Sequence, residues 1–309
     1  MSILVEDDFE PINSHSKPIL PSDASIVEQC NLAYAASMRA DRRVYFSGMA
    51  IVGDHQRFWV KFGGNIRLCE ARTQHYVALR CVDADAPVRV PAVYRFLQYK
   101  SKGYIIMDFI DGRICTYKDA QAVGAAVSFL ITIPAPVDQP GPGPIGGGTI
   151  CHDFFVDRRS SFAYPTVKLL ESHVNGILTH ERRPQRVDLT PELEAYGLRL
   201  CLSDTNCGNF MVLNSDNQIG GNDDDKKIIV ALDFDASCFL PISFFELAIH
   251  HPDPFTRSIK PFVVRPLSTQ AQALDIASFS LVKYQTDKVG LPAELRKLIP
   301  AGSPWAPKN

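Results

Sequence analysis

Residues 201–214 read CLSDTNCGNFMVLN and residues 226–237 read KKIIVALDFDAS. The first stretch places Asp204 in a segment free of strand formers and puts Asn209 immediately before the apolar run Phe210-Met211-Val212-Leu213. The second is an apolar run, 228–232, that ends in Asp233. Two short apolar runs separated by a polar stretch predict a hairpin, and a hairpin here gathers Asp204, Asn209 and Asp233 at one end of its strands. Two carboxylates and a carboxamide in that order suit phosphoryl transfer. There the protein mainly positions reactants and neutralises charge: one carboxylate orients an attacking hydroxyl, while an Asn and a second Asp hold magnesium against phosphate oxygens. An Asp and an Asn five apart carry little weight alone, so the remainder of the chain must supply a nucleotide site.

The first third contains its elements. Phe58-Trp59-Val60-Lys61 reads as a buried strand ending in a lysine, and nine residues later Glu70 lies in the segment 68–82, whose Leu68, Arg72, His75, Tyr76 and Leu79 have helical spacing. A snorkelling lysine and a solvated helical glutamate are the usual fate of both types. A strand lysine followed by a helical glutamate, upstream of an Asp and Asn loop, instead suits a lysine on the α and β phosphates with the glutamate fixing its position. Residues 91–97 and Tyr104-Ile105-Ile106-Met107 read as two further strands, and Asp108-Phe109-Ile110-Asp111-Gly112 reads as a hinge.

Taken in order, these segments resemble the protein-kinase-like superfamily in its aminoglycoside and choline kinase branch, most closely the fungal phosphotransferase-like members. The resemblance spans 44–254 and is carried by Val60-Lys61-Phe62-Gly63, Glu70-Ala71, Val90-Pro91-Ala92-Val93-Tyr94, Ile106 to Gly112, Asp204 to Asn209, Asp233-Phe234-Asp235, Phe239-Leu240-Pro241 and Phe244-Phe245. It implies an α+β, bilobal protein-kinase-like fold, with a small antiparallel-sheet N-lobe bearing one main helix and a larger, mostly helical C-lobe. It implies ATP and Mg2+ as cofactors, with Lys61 on the phosphates, Glu70 as its partner, and the segment Met107, Asp108 and Ile110 on the nucleotide through backbone groups of Asp108 and Ile110. Asp204 is then the catalytic base, Asn209 and Asp233 hold magnesium, and the acceptor is a hydroxyl of a small molecule.

The chain departs from the family pattern at three places. Leu202 stands where relatives carry a His two residues before the catalytic Asp. That His is a scaffold group, so its loss loosens geometry without removing the chemistry. No G-x-G-x-x-G precedes Lys61, only Ser47-Gly48-Met49 and Gly53-Asp54. Phe234-Asp235 follows Asp233, with Asp235 either supporting the site or solvated. The first two departures favour an alternative, a non-catalytic nucleotide-binding module.

Composition bounds the remaining readings. The 309 residues are 46% hydrophobic and 21% charged, the balance of a globular chain large enough for two lobes. A net charge of -2 gives no electrostatic reason to expect nucleic acid or an anionic membrane. Eight cysteines without a C-x-x-C fit reduced, mostly buried thiols. An acidic N-terminus without a long apolar run predicts neither a secretory signal nor a membrane span, so a cytoplasmic location is expected.

Three parts are expected: a polar N-terminal arm over 1–22, an N-lobe with an added helix over 23–111, and a C-lobe over 112–309 carrying the catalytic loop and metal site. Ser25-Ile26-Val27-Glu28 predicts a capping box at the start of the added helix. Helices are predicted over 117–133, 167–178 and 190–199, the last feeding the catalytic loop. The Pro- and Gly-rich 134–148 predicts a loop, and its Gly146-Gly147-Gly148 follows a helix where a phosphate loop would follow a strand. The polar stretch 214–227 reads as a solvated turn, and His250 and His251 as structural or solvated.

Overall fold

The computed structural model describes residues 3–12, 18–39, 48–54, 56–83, 85–214 and 227–299. The predicted turn within 215–226, Ser47 and the C-terminal 300–309 lie outside them. Strands in chain order are β1 Leu4–Asp8, β2 Gly48–Val52, β3 Arg57–Gly63, β4 Val88–Arg89, β5 Val93–Tyr99, β6 Lys102–Asp108, β7 Gly112–Ile114, β8 Arg199–Leu202, β9 Phe210–Leu213, β10 Ile229–Ala231 and β11 Ser237–Leu240. The helices are α1 Asp23–Arg39, α2 Leu68–Arg80, α3 Ala120–Leu130, α4 Val167–His180, α5 Thr190–Tyr196, α6 Ile242–Ala248, α7 Pro254–Ile259, α8 Ala271–Tyr284 and α9 Ala293–Arg296. The fold is α+β, with an antiparallel sheet in the N-terminal part and mostly helices in the C-terminal part.

The chain divides into two compact units, one of Met1–Cys115 with Phe210–Asp235, the other of Thr116–Asn209 with Ala236–Asn309. This corrects the sequence-based division. The β9–β10 hairpin returns to the first unit because β10 pairs parallel with β4 and β9 pairs antiparallel with β7. The arm is also corrected: β1 pairs antiparallel with β5 and is the edge of a five-stranded sheet, order β1-β5-β6-β3-β2. Its acidic side chains suit an edge, where Asp8 meets Arg95 at 3.2 Å and Asp7 meets Arg72 at 2.8 Å.

Alternation along β3 assigns the faces of this sheet. Phe58, Val60 and Phe62 are buried with Ile51, Leu97, Tyr104 and Ile106 against Ile26, Val27 and Cys30 of α1. On the other face, Val93, Phe96, Ile105 and Met107 pack with Ala71 of α2 and with Phe9. Lys61, out of phase with the buried trio, pairs with Glu70 of α2. The chain enters α2 close over β6, where a Cβ on Gly103 would lie 2.3 Å from the Ile66 carbonyl oxygen. The cap of α1 is Ser22, whose hydroxyl accepts from the Ser25 N–H at 3.3 Å; Ser25 lies inside the first turn, where its hydroxyl accepts from Gln29.

In the second unit α6 and α4 pack on α8, and α3 on α7. The predicted helix 117–133 is a turn at Tyr117–Asp119, held by a capping box between Thr116 and Asp119, followed by α3. The helix predicted over 190–199 ends at Tyr196, because Gly197 takes φ +65 and turns the chain into β8. Thus β8, paired antiparallel with β11, leads into the Asp204 loop. The 134–148 segment is irregular and pinned at Gly143, which exchanges two backbone hydrogen bonds with Phe239. Six of the eight cysteines are buried and all are free thiols.

Candidate active site

In the first unit, Lys61, Glu70 and Asp233 meet. Lys61 Nζ lies 2.5 Å from Glu70 Oε1 and 2.8 Å from Asp233 Oδ1. Glu70 is 2% exposed, Lys61 12% and Asp233 46%, so the lysine spans from the interior to an accessible carboxylate. Burial alone pulls the Lys61 ammonium down, but Glu70 and Asp233 reverse this and hold it above its usual value. Burial pushes the Glu70 carboxyl up to about 7 against the opposing pull of Lys61. Glu70 Oε2 is buried without a hydrogen-bond partner, which adds to that push.

Asp233 stands two residues past β10 with φ +55, a left-handed conformation uncommon for any residue but glycine and best tolerated by Asn and Asp. The strained backbone is held in part by its own side chain, because Asp233 Oδ1 accepts from the Asp235 N–H at 3.3 Å. Asp235, read as supporting or solvated, contributes that backbone donor.

Met107 is buried at the end of β6, its sulfur 3.3 Å from Gln74 Nε2, which also donates to the Pro91 carbonyl. The Asp108 N–H donates to Ala92 O at 3.0 Å, and its carboxylate accepts from the Ala92 N–H and the Tyr94 hydroxyl. Met107 and Asp108 are therefore held by Gln74 of α2, by Ala92 and by Tyr94 of β5. Past Ile110, Asp111 pairs with Arg57, whose guanidinium lies 4.0 Å from the Phe109 ring centroid. Between β2 and β3 the Gly53 N–H donates to Gln56 O at 2.8 Å.

Asp204 and Asn209 belong to the second unit. The Asp204 carboxylate accepts from Asn206 Nδ2 at 2.6 Å and lies 3.3 Å from Arg158 Nη2. Asn209 Nδ2 donates to the Asp204 carbonyl at 3.0 Å, a donor contact that turns the amide nitrogen, not the oxygen, to the loop. Asn206 closes the turn by accepting from the Gly208 N–H. Leu202, two residues before Asp204, is buried in β8 opposite Ser237 of β11.

The sequence reading missed Arg158. It takes φ +54, bridges Asp153 at 2.7 Å and Asp204 at 3.3 Å, and is 54% exposed. The histidines read as structural or solvated each approach a carboxylate: His251 Nε2 lies 3.8 Å from Asp153, and His250 Nδ1 lies 3.6 Å from Glu246. Glu246 and His250 are four apart, a spacing that the sequence does show, whereas Asp153 lies on a distant loop and leaves no local spacing with His251. Another histidine, His152, is fully buried, with Nδ1 accepting from the Phe154 N–H and Nε2 donating to Phe244 O. Burial draws its pKa down to about 4.

Among the described residues no group of three or more His, Cys, Asp and Glu is placed to hold a metal. The donors that sequence pairs with magnesium, an Asp carboxylate and an Asn amide oxygen, are hard oxygens of the type that cation takes when substrate phosphates and water complete its shell. No helix among the described residues is long and apolar enough to cross a membrane.

No family model and no curated protein matches the sequence. Solved structures do show likenesses. A protein assigned as a fructosamine-3-kinase from Haemophilus somnus 129PT is 11% identical with a TM-score of 0.43, over 78% of this chain and 83% of that one. A spectinomycin phosphotransferase, in complex with ADP and spectinomycin, is 13% identical with a TM-score of 0.42, over 77% and 78%. An aminoglycoside phosphotransferase from Alicyclobacillus acidocaldarius is 11% identical with a TM-score of 0.34, over 89% and 80%. Each is a likeness only, and the chemistry below rests on side chains.

Proposed function

We propose that this chain is a protein-kinase-like phosphotransferase that uses ATP and magnesium to phosphorylate a hydroxyl of a small molecule. The carrying observation is the Lys61 ammonium held between Glu70 and Asp233. A lysine buried on a sheet face with two carboxylates keeps its charge and is pre-positioned for an anionic ligand. In this reading Lys61 takes phosphate oxygens, Glu70 fixes the lysine from the interior, and the 107–110 backbone receives the base.

Magnesium, when bound, neutralises the phosphate charge, and Asp233 and Asn209 are its assigned protein ligands. Asp204 orients the acceptor hydroxyl and accepts its proton, with Asn206 and Asn209 holding the loop around it.

A second reading, a non-catalytic nucleotide-binding module, is favoured by one observation: Leu202 buries a side chain without a donor beside the loop. Nucleotide-induced thermal shifts with and without magnesium, followed by ATP consumption over a panel of small alcohols, separate the two. Magnesium-dependent ATP binding with acceptor-dependent consumption supports the transferase. Binding with no acceptor dependence supports the module, and no nucleotide binding removes both.

A further inference from the structure

The second unit holds a cavity of about 250 Å3 between β8, the start of α6 and the 264–266 segment. Its wall is mostly apolar, with Ile131, Leu200, Leu240, Ile242, Phe245 and Val264 among the lining side chains. An apolar cavity of about 150 Å3 takes benzene, and sites for drug-sized ligands begin at about 300 Å3. The space therefore suits a molecule somewhat larger than one benzene ring.

Among the described residues, two cations line this cavity and no carboxylate does. Arg265 is matched within the protein: Nε and Nη2 reach Glu246 at 2.6 and 3.2 Å, and Nη1 donates to Val263 O at 3.3 Å. Arg199 is not. Its Nη1 donates to the Thr132 carbonyl at 2.6 Å, and among the described residues no Asp or Glu lies within ion-pair distance of it. A guanidinium carries five N–H donors, and that bond uses one.

An unmatched guanidinium beside an apolar wall is completed by a ligand with an apolar body and a carboxylate head. The body leaves water against the aliphatic side chains, while the planar fork takes the carboxylate oxygens through charge-assisted hydrogen bonds. An alcohol of the same shape forgoes those bonds, and an ammonium brings a second unmatched cation.

We propose that this cavity is a binding site for a small apolar monocarboxylate, with Arg199 as the residue that takes the carboxylate. Neither Asp204 nor the Lys61 group enters the inference, so it stands apart from the phosphotransferase reading.

The probes are hexanoate, 1-hexanol and hexylammonium, which share one alkyl chain and differ in charge at about pH 7.5. Binding to the full chain without nucleotide is followed by calorimetry and by NMR of isoleucine δ1 methyl groups, where Ile131 and Ile242 report on the cavity wall. Hexanoate is expected to bind about 10-fold tighter or more than 1-hexanol, and hexylammonium more weakly than either. The methyl shifts should centre on Ile131 and Ile242. Arg199→Gln should bring hexanoate down to the affinity of 1-hexanol and leave 1-hexanol unchanged, whereas Arg199→Lys keeps the charge and should retain a preference for hexanoate. Circular dichroism confirms that each variant is folded, and the three-probe comparison in wild type tests the charge preference without any variant.

Equal affinity for the three probes, hexanoate binding that folded Arg199→Gln leaves unchanged, methyl shifts confined to isoleucines outside the cavity, or no hexanoate binding at about 10 mM overturns the proposal.

Discussion

The Lys61 ammonium lies 2.8 Å from the Asp233 carboxylate, although 172 residues separate them in sequence. The same ammonium contacts Glu70, so Asp233 is the exposed member of a three-charge set. If Asp233 also serves magnesium, Asp233→Asn should reduce the gain in ATP affinity on adding magnesium by about 10-fold or more, because a neutral amide is a poorer ligand for a hard cation. Affinity without magnesium should hold or rise, since Lys61 is released to the phosphates. Calorimetric titration of ATP with and without magnesium measures both, and an unchanged magnesium response removes Asp233 from the metal site.

Glu70 carries a pH signature. Its carboxyl is raised in the folded chain to about 7 from an ordinary value of 4.5, chiefly by burial. Between those values the folded state binds more protons than the unfolded state, so this group's contribution is fully present below pH 4.5 and is lost as pH rises through about 7. Denaturant unfolding of wild type and Glu70→Gln across that window should show wild type losing up to about 1.4 kcal/mol per pH unit relative to the variant. Parallel curves would mean that folding leaves the Glu70 carboxyl unshifted.

Buried histidines act in the opposite sense. His152 and His173 are both lowered by burial to about 4 from an ordinary 6.5. His152 is locked as the Nε2–H tautomer, because Nδ1 faces the Phe154 N–H and a second proton would oppose it. Between pH 6.5 and 4 the unfolded chain binds more protons, so stability should fall as pH falls, by about 1.4 kcal/mol per unit for each histidine. In His152→Gln the slope should shrink by one proton, read from unfolding midpoints between those pH values. An unchanged slope would assign the acid sensitivity elsewhere.

The Lys61 and Glu70 pair was legible in sequence because alternation along β3 leaves Lys61 out of phase with Phe58, Val60 and Phe62, and because Glu70 falls in the first turn of a helix with clear periodicity. The β9–β10 hairpin was legible for the same reason, two apolar runs around a polar stretch. β8 was hidden, since Leu198 and Leu200 continue helical spacing from α5 and only the left-handed Gly197 separates the two. β1 was hidden by its acids, which an edge strand accepts and a composition reading assigns to a solvated arm. The Arg158 link to Asp204 left no signal, because ion pairs between separate loops leave no spacing in the chain.

Asp204 and Leu202 together decide whether the chain is an enzyme. Asp204→Asn keeps the shape that Asn206 and Arg158 hold and removes the charge that accepts a proton. Turnover should fall about 100-fold or more while ATP affinity stays the same. Leu202→His restores a donor beside the loop, in a buried position of β8 where an unsatisfied imidazole costs about 1–3 kcal/mol. The comparison is therefore made on folded protein at a temperature well below both unfolding midpoints. In a transferase that tolerates Leu202, this variant should match or exceed wild-type turnover. Equal, acceptor-independent ATP consumption in wild type, Asp204→Asn and Leu202→His, with nucleotide binding intact, would withdraw the catalytic role of Asp204 and leave the nucleotide-binding module as the reading that Lys61, Glu70 and Asp233 still support.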